Sequence, residues 1–195
     1  MKIIKKIYDW VLHWAETPYA VPALFLLSFS ESSFFPVPPD VLLIALAISI
    51  PKKSFKYAAI CAVASVLGGV LGYYIGFYSY EAVGKPIVEF YHGQEIMNAI
   101  KMQYDQHGFW GILIAAITPI PYKVFTIASG VFKFDFLLFF IASVLGRSFR
   151  FFVVAGLIWK FGPTIKNFID KYFNLLSYVF IILLVGGFIL MKYVF

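Results

Sequence analysis

Long apolar runs separated by short polar segments follow one another along this chain of 195 residues. About 20 apolar residues suffice for a helix to cross the ~30 Å hydrocarbon core of a bilayer. Proline-free runs of this length predict transmembrane helices over residues 57–80, 136–159 and 173–191. Residues 81–107 form the long polar stretch of the chain, which we expect to be an exposed loop or a surface helix.

Two further apolar stretches, residues 22–50 and 108–133, are broken by prolines near the middle. A free backbone N–H or C=O in hydrocarbon costs several kcal/mol, so such a break must be shielded by protein or line a watery cavity. As one helix, the first stretch would measure ~45 Å, which exceeds the membrane core and favours a bent hairpin. Matched breaks in the two halves of a membrane protein indicate a transporter-type site at the midplane. The prolines concerned are Pro36, Pro38, Pro39, Pro119 and Pro121.

The positions of the lysines favour two re-entrant hairpins that insert from opposite faces of the membrane. With that arrangement, the lysines of the N-terminus, of residues 52–56 and of residues 160–171 lie on one side. Because cytoplasmic segments carry the excess of lysine and arginine, we predict a cytoplasmic N-terminus in a plasma membrane, the inner membrane of a bacterium. If both stretches cross the membrane instead, the lysines divide more evenly, and this arrangement stays open.

Residues 1–16 place three lysines ahead of Trp10 and Trp14. Polar residues among them interrupt the apolar core that a signal peptide needs. We predict an amphipathic helix on the membrane surface, with the two tryptophans as interfacial anchors. The alternative is a disordered tail.

Composition supports an all-α polytopic membrane protein that forms a single integral membrane domain over residues 1–195. Hydrophobic residues make up 62% of the chain and charged residues 13%, against about 25% charged residues in a soluble domain. The net charge of +6 then indicates topology and contact with anionic lipid headgroups rather than with nucleic acid. A single cysteine, Cys61, excludes an internal disulfide, and the three histidines lack metal-ligand spacing, so we expect neither metal nor cofactor. Self-association stays open.

Five charged residues lie inside the apolar stretches, away from their ends, where a charge costs roughly 2.5–3.5 kcal/mol and marks a candidate functional site. They are Glu31, Asp40, Lys123, Arg147 and Arg150. The three bases can bind a phosphate headgroup, and the two arginines, three residues apart, share one helical face. The two carboxylates can exchange a proton or repel the anion to release it. Alternatively, the carboxylates pair with these bases in a purely structural ion network that holds the hairpins against the spans.

The first proline break resembles a motif of the DedA family of membrane proteins, also called the VTT or SNARE-associated Golgi protein family. That motif is a glutamate followed by a proline-rich turn and a second carboxylate, here Glu31 and Asp40 around Pro36 and Pro38. The second break, TPIPYKVFTIASG, resembles the proline-centred hairpin of the family, which runs to a glycine, here Gly130. The resemblance extends over most of the chain, from about residue 22 to residue 159.

The chain departs from this family at the second break, around which many members carry two arginines. Ala116, Ile117 and a lone Lys123 stand in the matching stretch. Arg147 and Arg150, in the sequence GRSFRFF, resemble a pair that a divergent branch of the family places on the following span. These two arginines would supply the missing positive charge.

The resemblance implies two opposed re-entrant hairpins and a part in lipid traffic between leaflets. Characterised relatives are linked to recycling of a polyprenyl phosphate carrier, to phospholipid scrambling and to proton-linked membrane homeostasis. We therefore expect a transporter, not an enzyme, that translocates or scrambles a phosphate-bearing lipid, with proton coupling as an option. Two alternatives stay open: a non-transporting membrane scaffold, and a lipid-phosphate enzyme, for which Glu31 and Asp40 alone would make a poor site.

Overall fold

The computed structural model describes residues 19–35, 37–90 and 94–162. The predictions for residues 1–16, for Pro36 and for the span 173–191 lie outside these ranges. Within them the chain is helical, and no strand is formed. The helices are α1 (Ala20–Glu31), α2 (Asp40–Ser49), α3 (Ser54–Ser79), α4 (Lys85–Phe90), α5 (Gln94–Ile117), α6 (Tyr122–Val131) and α7 (Phe136–Gly162).

Two of the described helices are long and apolar enough to cross a membrane. One extends over Pro51–Ala82, since a 3₁₀ turn (Pro51–Lys53) precedes α3 and a π-helical turn (Tyr80–Gly84) follows it. The other is α7, with 27 residues. They coincide with the predicted transmembrane helices at 57–80 and 136–159, so the all-helical fold class and the membrane-helix character of these segments are confirmed.

The prolines divide the two remaining apolar stretches into short helices. Helices α1, α2 and α6 have 12, 10 and 10 residues, or ~15–18 Å each, about half of the membrane core. Helix α5 is longer because it continues without a break from the predicted polar segment into the second proline-broken stretch. Insertion of the two hairpins from opposite membrane faces stays a prediction.

Helix α3 is the central element, against which α1 and α6 pack in parallel. Along α1, the hydroxyls of Ser28 and Ser33 donate to the carbonyls of Cys61 and Gly68, so both helices advance in the same direction. Along α6, residues from Tyr122 to Gly130 meet the later half of α3, from Gly69 to Phe77. Helix α7 runs the opposite way, because its start contacts Tyr73 whereas its end contacts Phe55.

Glycines allow this close packing. A Cβ added at Gly68 would overlap the carbonyl oxygen of Phe29 in α1, and one at Gly76 would overlap that of Ile127 in α6. A Cβ at Gly130 of α6 would in turn overlap the carbonyl oxygen of Tyr73. The glycines of α3 therefore allow a close approach of two neighbours, the half-length helices α1 and α6.

Two apolar clusters form the core, one at each end of α3. The first joins α1 and α2 to the start of α3 and the end of α7, and includes Leu24, Leu43, Cys61, Phe151 and Ala155. The second joins α5 and α6 to the end of α3 and the start of α7, and includes Tyr73, Ile112, Tyr122, Phe125 and Phe139. Arg147 and Arg150 lie between the α7 residues of the two clusters, with Phe139 and Ala142 on one side and Phe151 and Ala155 on the other.

Candidate functional site

Helix α7 carries the two arginines at the middle of its length. At 1.5 Å per residue, Arg147 lies ~17 Å along the axis from Phe136, and Arg150 lies ~18 Å from Gly162. If α7 crosses the membrane, both arginines are far from either surface. Burial of such charges costs several kcal/mol per ion unless each is paired and hydrogen-bonded.

Arg147 is enclosed on all sides by its partners. Its Nη2 donates to Glu31 Oε2 at 2.7 Å, and its Nε donates to the hydroxyl of Ser65. The guanidinium lies between two aromatic rings, 4.9 Å from the ring centre of Tyr122 and 4.8 Å from that of Phe151. Only 2% of the side chain is exposed. A phosphate could reach this arginine only by displacing Glu31 and parting the packed side chains.

Glu31 is the last residue of α1, where the helix dipole places partial negative charge. A second negative charge there is unfavourable unless a cation neutralises it, and Arg147 supplies that cation. Ser32, which follows, bonds the hydroxyl of Ser65 at 2.6 Å. These contacts hold the end of α1 against both α3 and α7.

Arg150 joins the two proline breaks. Its Nη2 donates to Asp40 Oδ2 at 2.8 Å, and its Nη1 donates to the carbonyl of Thr118 at 2.6 Å. Asp40 begins α2 after the first break, whereas Thr118 follows the end of α5 at the second break. The arginine is 18% exposed. It also lines a cavity of about 310 Å³, and Arg147 is not among the residues that line this cavity.

Lys123 lies apart from the two ion pairs. Its Nζ donates to the carbonyl of Phe35 at 3.2 Å, which ties the start of α6 to the end of the first break. The predicted approach of Glu31 and Asp40 to the bases is thus observed for Arg147 and Arg150. Lys123 contributes a backbone contact instead.

The structure places the predicted hairpin residues at the breaks themselves. Pro39 precedes the first residue of α2, and Pro121 precedes the first residue of α6. A proline can occupy such a position because the N–H groups at a helix start have no partner within the helix. Pro38 and Pro119 lie in the two connecting segments, and Gly130 packs against α3 as described above.

Hydroxyl groups complete the site, and no motif in the sequence indicated them. Thr126 of α6 donates to the carbonyl of Ser32 at 3.2 Å, which links the two breaks a third time. Tyr122, under Arg147, has a buried hydroxyl without a hydrogen-bond partner among the described residues. In the sequence, Ser28 and Ser32 are spaced by one helical turn within an apolar helix. This spacing is the feature that could have indicated the hydroxyl groups of the site. In the described part of the chain, no group of three or more His, Cys, Asp or Glu residues is placed to bind a metal.

Comparison with known families identifies the fold family. The sequence model of the VTT domain matches residues 37–160, most of the chain. The chain belongs to the VTT domain family. The match includes Asp40, Lys123, Arg147 and Arg150, whereas Glu31 precedes it. The DedA/VTT resemblance that the proline motifs suggested is therefore confirmed.

Three bacterial and archaeal relatives of this VTT protein carry no assigned activity. An uncharacterized protein of Haemophilus influenzae is 35% identical over 98% of the chain and 100% of its own length. An uncharacterized protein of Histophilus somni is 33% identical over 87% of the chain and 91% of its own length. One of Methanocaldococcus jannaschii is 28% identical over 68% of the chain and 79% of its own length. No solved structure matches.

Proposed function

We propose that this VTT protein moves a phosphate-bearing lipid, such as a polyprenyl phosphate or a phospholipid, between the leaflets of a plasma membrane. The observation that supports this proposal most is the pair of arginine–carboxylate contacts at the middle of α7, where the ends of α1, α2, α5 and α6 meet. Buried ion pairs are poor stabilisers compared with apolar packing of the same volume. Their presence beside broken helices is typical of a transport site.

The chain path supports two hairpins that insert from opposite faces. Helix α1 starts beside the start of α3, and α2 ends at Ser49, just before α3 begins. In the same way, α6 leads toward the end of α3, the end from which the chain continues to α5. Each broken stretch would therefore return to the face from which it entered.

Labelling of single cysteines tests this topology. Lys53→Cys lies before α3 and Glu95→Cys lies at the start of α5, both at exposed positions. With a cytoplasmic N-terminus, we expect Lys53→Cys to react with a membrane-impermeant thiol reagent from the cytoplasmic side and Glu95→Cys from the other side. Reaction of both from one side would rule out opposed hairpins.

A carboxylate-for-phosphate exchange would give the pairs a role in transport. Arginine binds carboxylate and phosphate with the same fork of N–H donors, so a lipid phosphate can take the place of a carboxylate. Protonation of Glu31 or Asp40 would weaken its hold on the arginine and so couple lipid binding to a proton. This proton step accounts for the placement of acidic residues where an anion is to be bound.

A membrane scaffold is the second candidate, and the enclosure of Arg147 favours it. An arginine held by Glu31 and Ser65 between two rings is what a structural ion network requires. The two candidates differ in what purified protein does in liposomes. A transporter moves a fluorescent lipid phosphate faster than protein-free liposomes do, and faster than it moves a neutral lipid of the same chain. A scaffold leaves both rates at the protein-free level.

A further inference from the structure

The described residues form a cavity beside Arg150, and the ion pairs alone do not explain it. It measures about 310 Å³, at the small end of ligand pockets, which span roughly 300–1,000 Å³. Its lining is largely apolar and comes from α7, from the second proline break and from Asp40 at the start of α2. The lining residues are Asp40, Ile117, Pro119, Phe149, Arg150, Val153 and Val154.

The cavity opens on the outer surface of α7. Phe149 and Val153 line it and are themselves exposed, one helical turn apart on the same face. Leu145, one turn earlier, is exposed on that face as well. In a membrane this apolar face would lie against lipid chains, so the cavity would be open to the bilayer from the side.

The polar end of the cavity carries the cation of Arg150 and its carboxylate partner, Asp40. Arg150 contacts Asp40 and the carbonyl of Thr118, and no ring covers its guanidinium among the described cation–ring contacts. A ligand with one anionic group and an apolar chain would match this arrangement, because the anion would meet Arg150 and the chain would cover the apolar lining. An anion without a chain would leave that lining unfilled.

We propose that this cavity is the docking subsite for one lipid molecule. The phosphate takes the place of Asp40 on Arg150, and the chain segment next to the headgroup occupies the space lined by Ile117, Phe149 and Val153. The volume fits part of one chain rather than a whole lipid. Arg147 is then a positioning residue that fixes α1 and α7, not the phosphate ligand. This inference rests on the proposed function for the identity of the ligand, although binding at the cavity can be measured without transport.

Protection of a cysteine from labelling tests the subsite. Val153→Cys places a thiol in the cavity wall, and Leu145→Cys is the matched control, since the native side chains are 43% and 53% exposed on the same helix. The native Cys61 is fully buried, and the protein without an added cysteine gives its background. The purified full chain, in maltoside micelles, is labelled in the presence of dodecyl phosphate, dodecanol or inorganic phosphate.

Dodecyl phosphate should slow labelling of Val153→Cys several-fold and leave Leu145→Cys unchanged, whereas dodecanol and inorganic phosphate should each have little effect. Arg150→Gln should remove the advantage of dodecyl phosphate over dodecanol. Asp40→Asn, which removes the competing carboxylate, should increase protection, and it provides the test if Arg150→Gln does not fold. Equal protection at both cysteines, protection by dodecanol or inorganic phosphate alone, or no gain from Asp40→Asn would overturn the proposal.

The cysteine-protection and liposome experiments distinguish a failure of the binding proposal from a failure of the transport proposal. If dodecyl phosphate protects Val153→Cys but liposomes show no lipid movement, the subsite stands and the transport proposal falls. If lipid moves and no protection is seen, the phosphate docks elsewhere and the subsite falls.

Discussion

Arg147 and Arg150 lie three residues apart on α7, and each contacts a carboxylate at nearly the same distance, 2.7 Å and 2.8 Å. Their surroundings differ. Arg147 is 2% exposed between two aromatic rings, whereas Arg150 is 18% exposed beside a cavity. An enclosed pair resists exchange because leaving either charge alone is costly. A pair beside a cavity has room to exchange its carboxylate for another anion, so we propose a mainly structural role for Arg147 and a role in ligand binding for Arg150.

The largest difference between the pairs should appear in stability. Arg147→Ala leaves the partly buried Glu31 without its cation and removes the buried contact with two rings, which should cost about 3–5 kcal/mol. Arg150→Ala should cost less, about 1.5–3 kcal/mol, the range for hydrogen bonds to a charged group. Thermal unfolding of the purified proteins in detergent, followed by loss of the monodisperse species, measures both.

Lys101→Ala is the matched control for this comparison. Lys101 pairs with Asp105 on the exposed surface of α5, and such a pair contributes about 0.3–0.5 kcal/mol. Its loss should hardly change the melting temperature. Equal melting temperatures for Arg147→Ala and Lys101→Ala would refute the structural role of Arg147.

A change on α3 should disturb the enclosed pair without altering either charge. Gly68→Ala places a Cβ against the carbonyl of Phe29, which must push α1 away and with it Glu31, at a cost of about 1–3 kcal/mol. Gly156→Ala in α7 meets nothing within 4 Å and should stabilise the helix by up to about 1 kcal/mol. Opposite shifts in melting temperature are the expected result. A neutral Gly68→Ala would mean that α1 is not tightly held.

The smallest effect should come from a hydroxyl. Ser65→Ala removes the acceptor of the Arg147 Nε–H, but Glu31 still binds the guanidinium, and Ser32 still bonds the carbonyl of Ser28 at 3.1 Å. We expect a loss of about 1 kcal/mol. Ser49→Ala is the control. Ser49 is exposed, and its hydroxyl, like that of Ser32, donates to a carbonyl of its own helix. A loss as large as that of Arg147→Ala would show that the serine, rather than Glu31, holds the arginine.

Much of the arrangement could be predicted because prolines and intramembrane charges act locally. Pro39 and Pro121 mark the starts of α2 and α6, and the spacing of Arg147 and Arg150 placed them on one helical face. The assignment of each carboxylate to its arginine was not predictable. It depends on how far α1 advances along α3, which is set by hydrogen bonds and glycine contacts between residues more than 30 positions apart.

The polar segment before the second break shows a second limit of sequence reasoning. Its charges suggested an exposed loop or a surface helix; α5 covers its second half, from Gln94, and continues into the second proline-broken stretch, a continuation that the charges did not indicate. Tyr104 is the reason, since its ring is buried and its hydroxyl donates to the carbonyl of Phe125 at 3.0 Å. Glu95, Lys101 and Asp105 lie on the exposed side of the same helix. The charged residues around Tyr104 make it hard to see from the sequence that one face of this helix is buried.

The most direct test of the account compares lipid movement by Arg150→Ala and by the unaltered protein. Both are reconstituted at equal density in liposomes that carry a fluorescent lipid phosphate, with Lys101→Ala as the control and with folding verified by size-exclusion chromatography. If Arg150 binds the phosphate, Arg150→Ala should move the lipid at least about tenfold more slowly, equivalent to about 1.4 kcal/mol in the barrier, while Lys101→Ala keeps the parental rate. Folded Arg150→Ala that moves the lipid as fast as the parent would contradict the account.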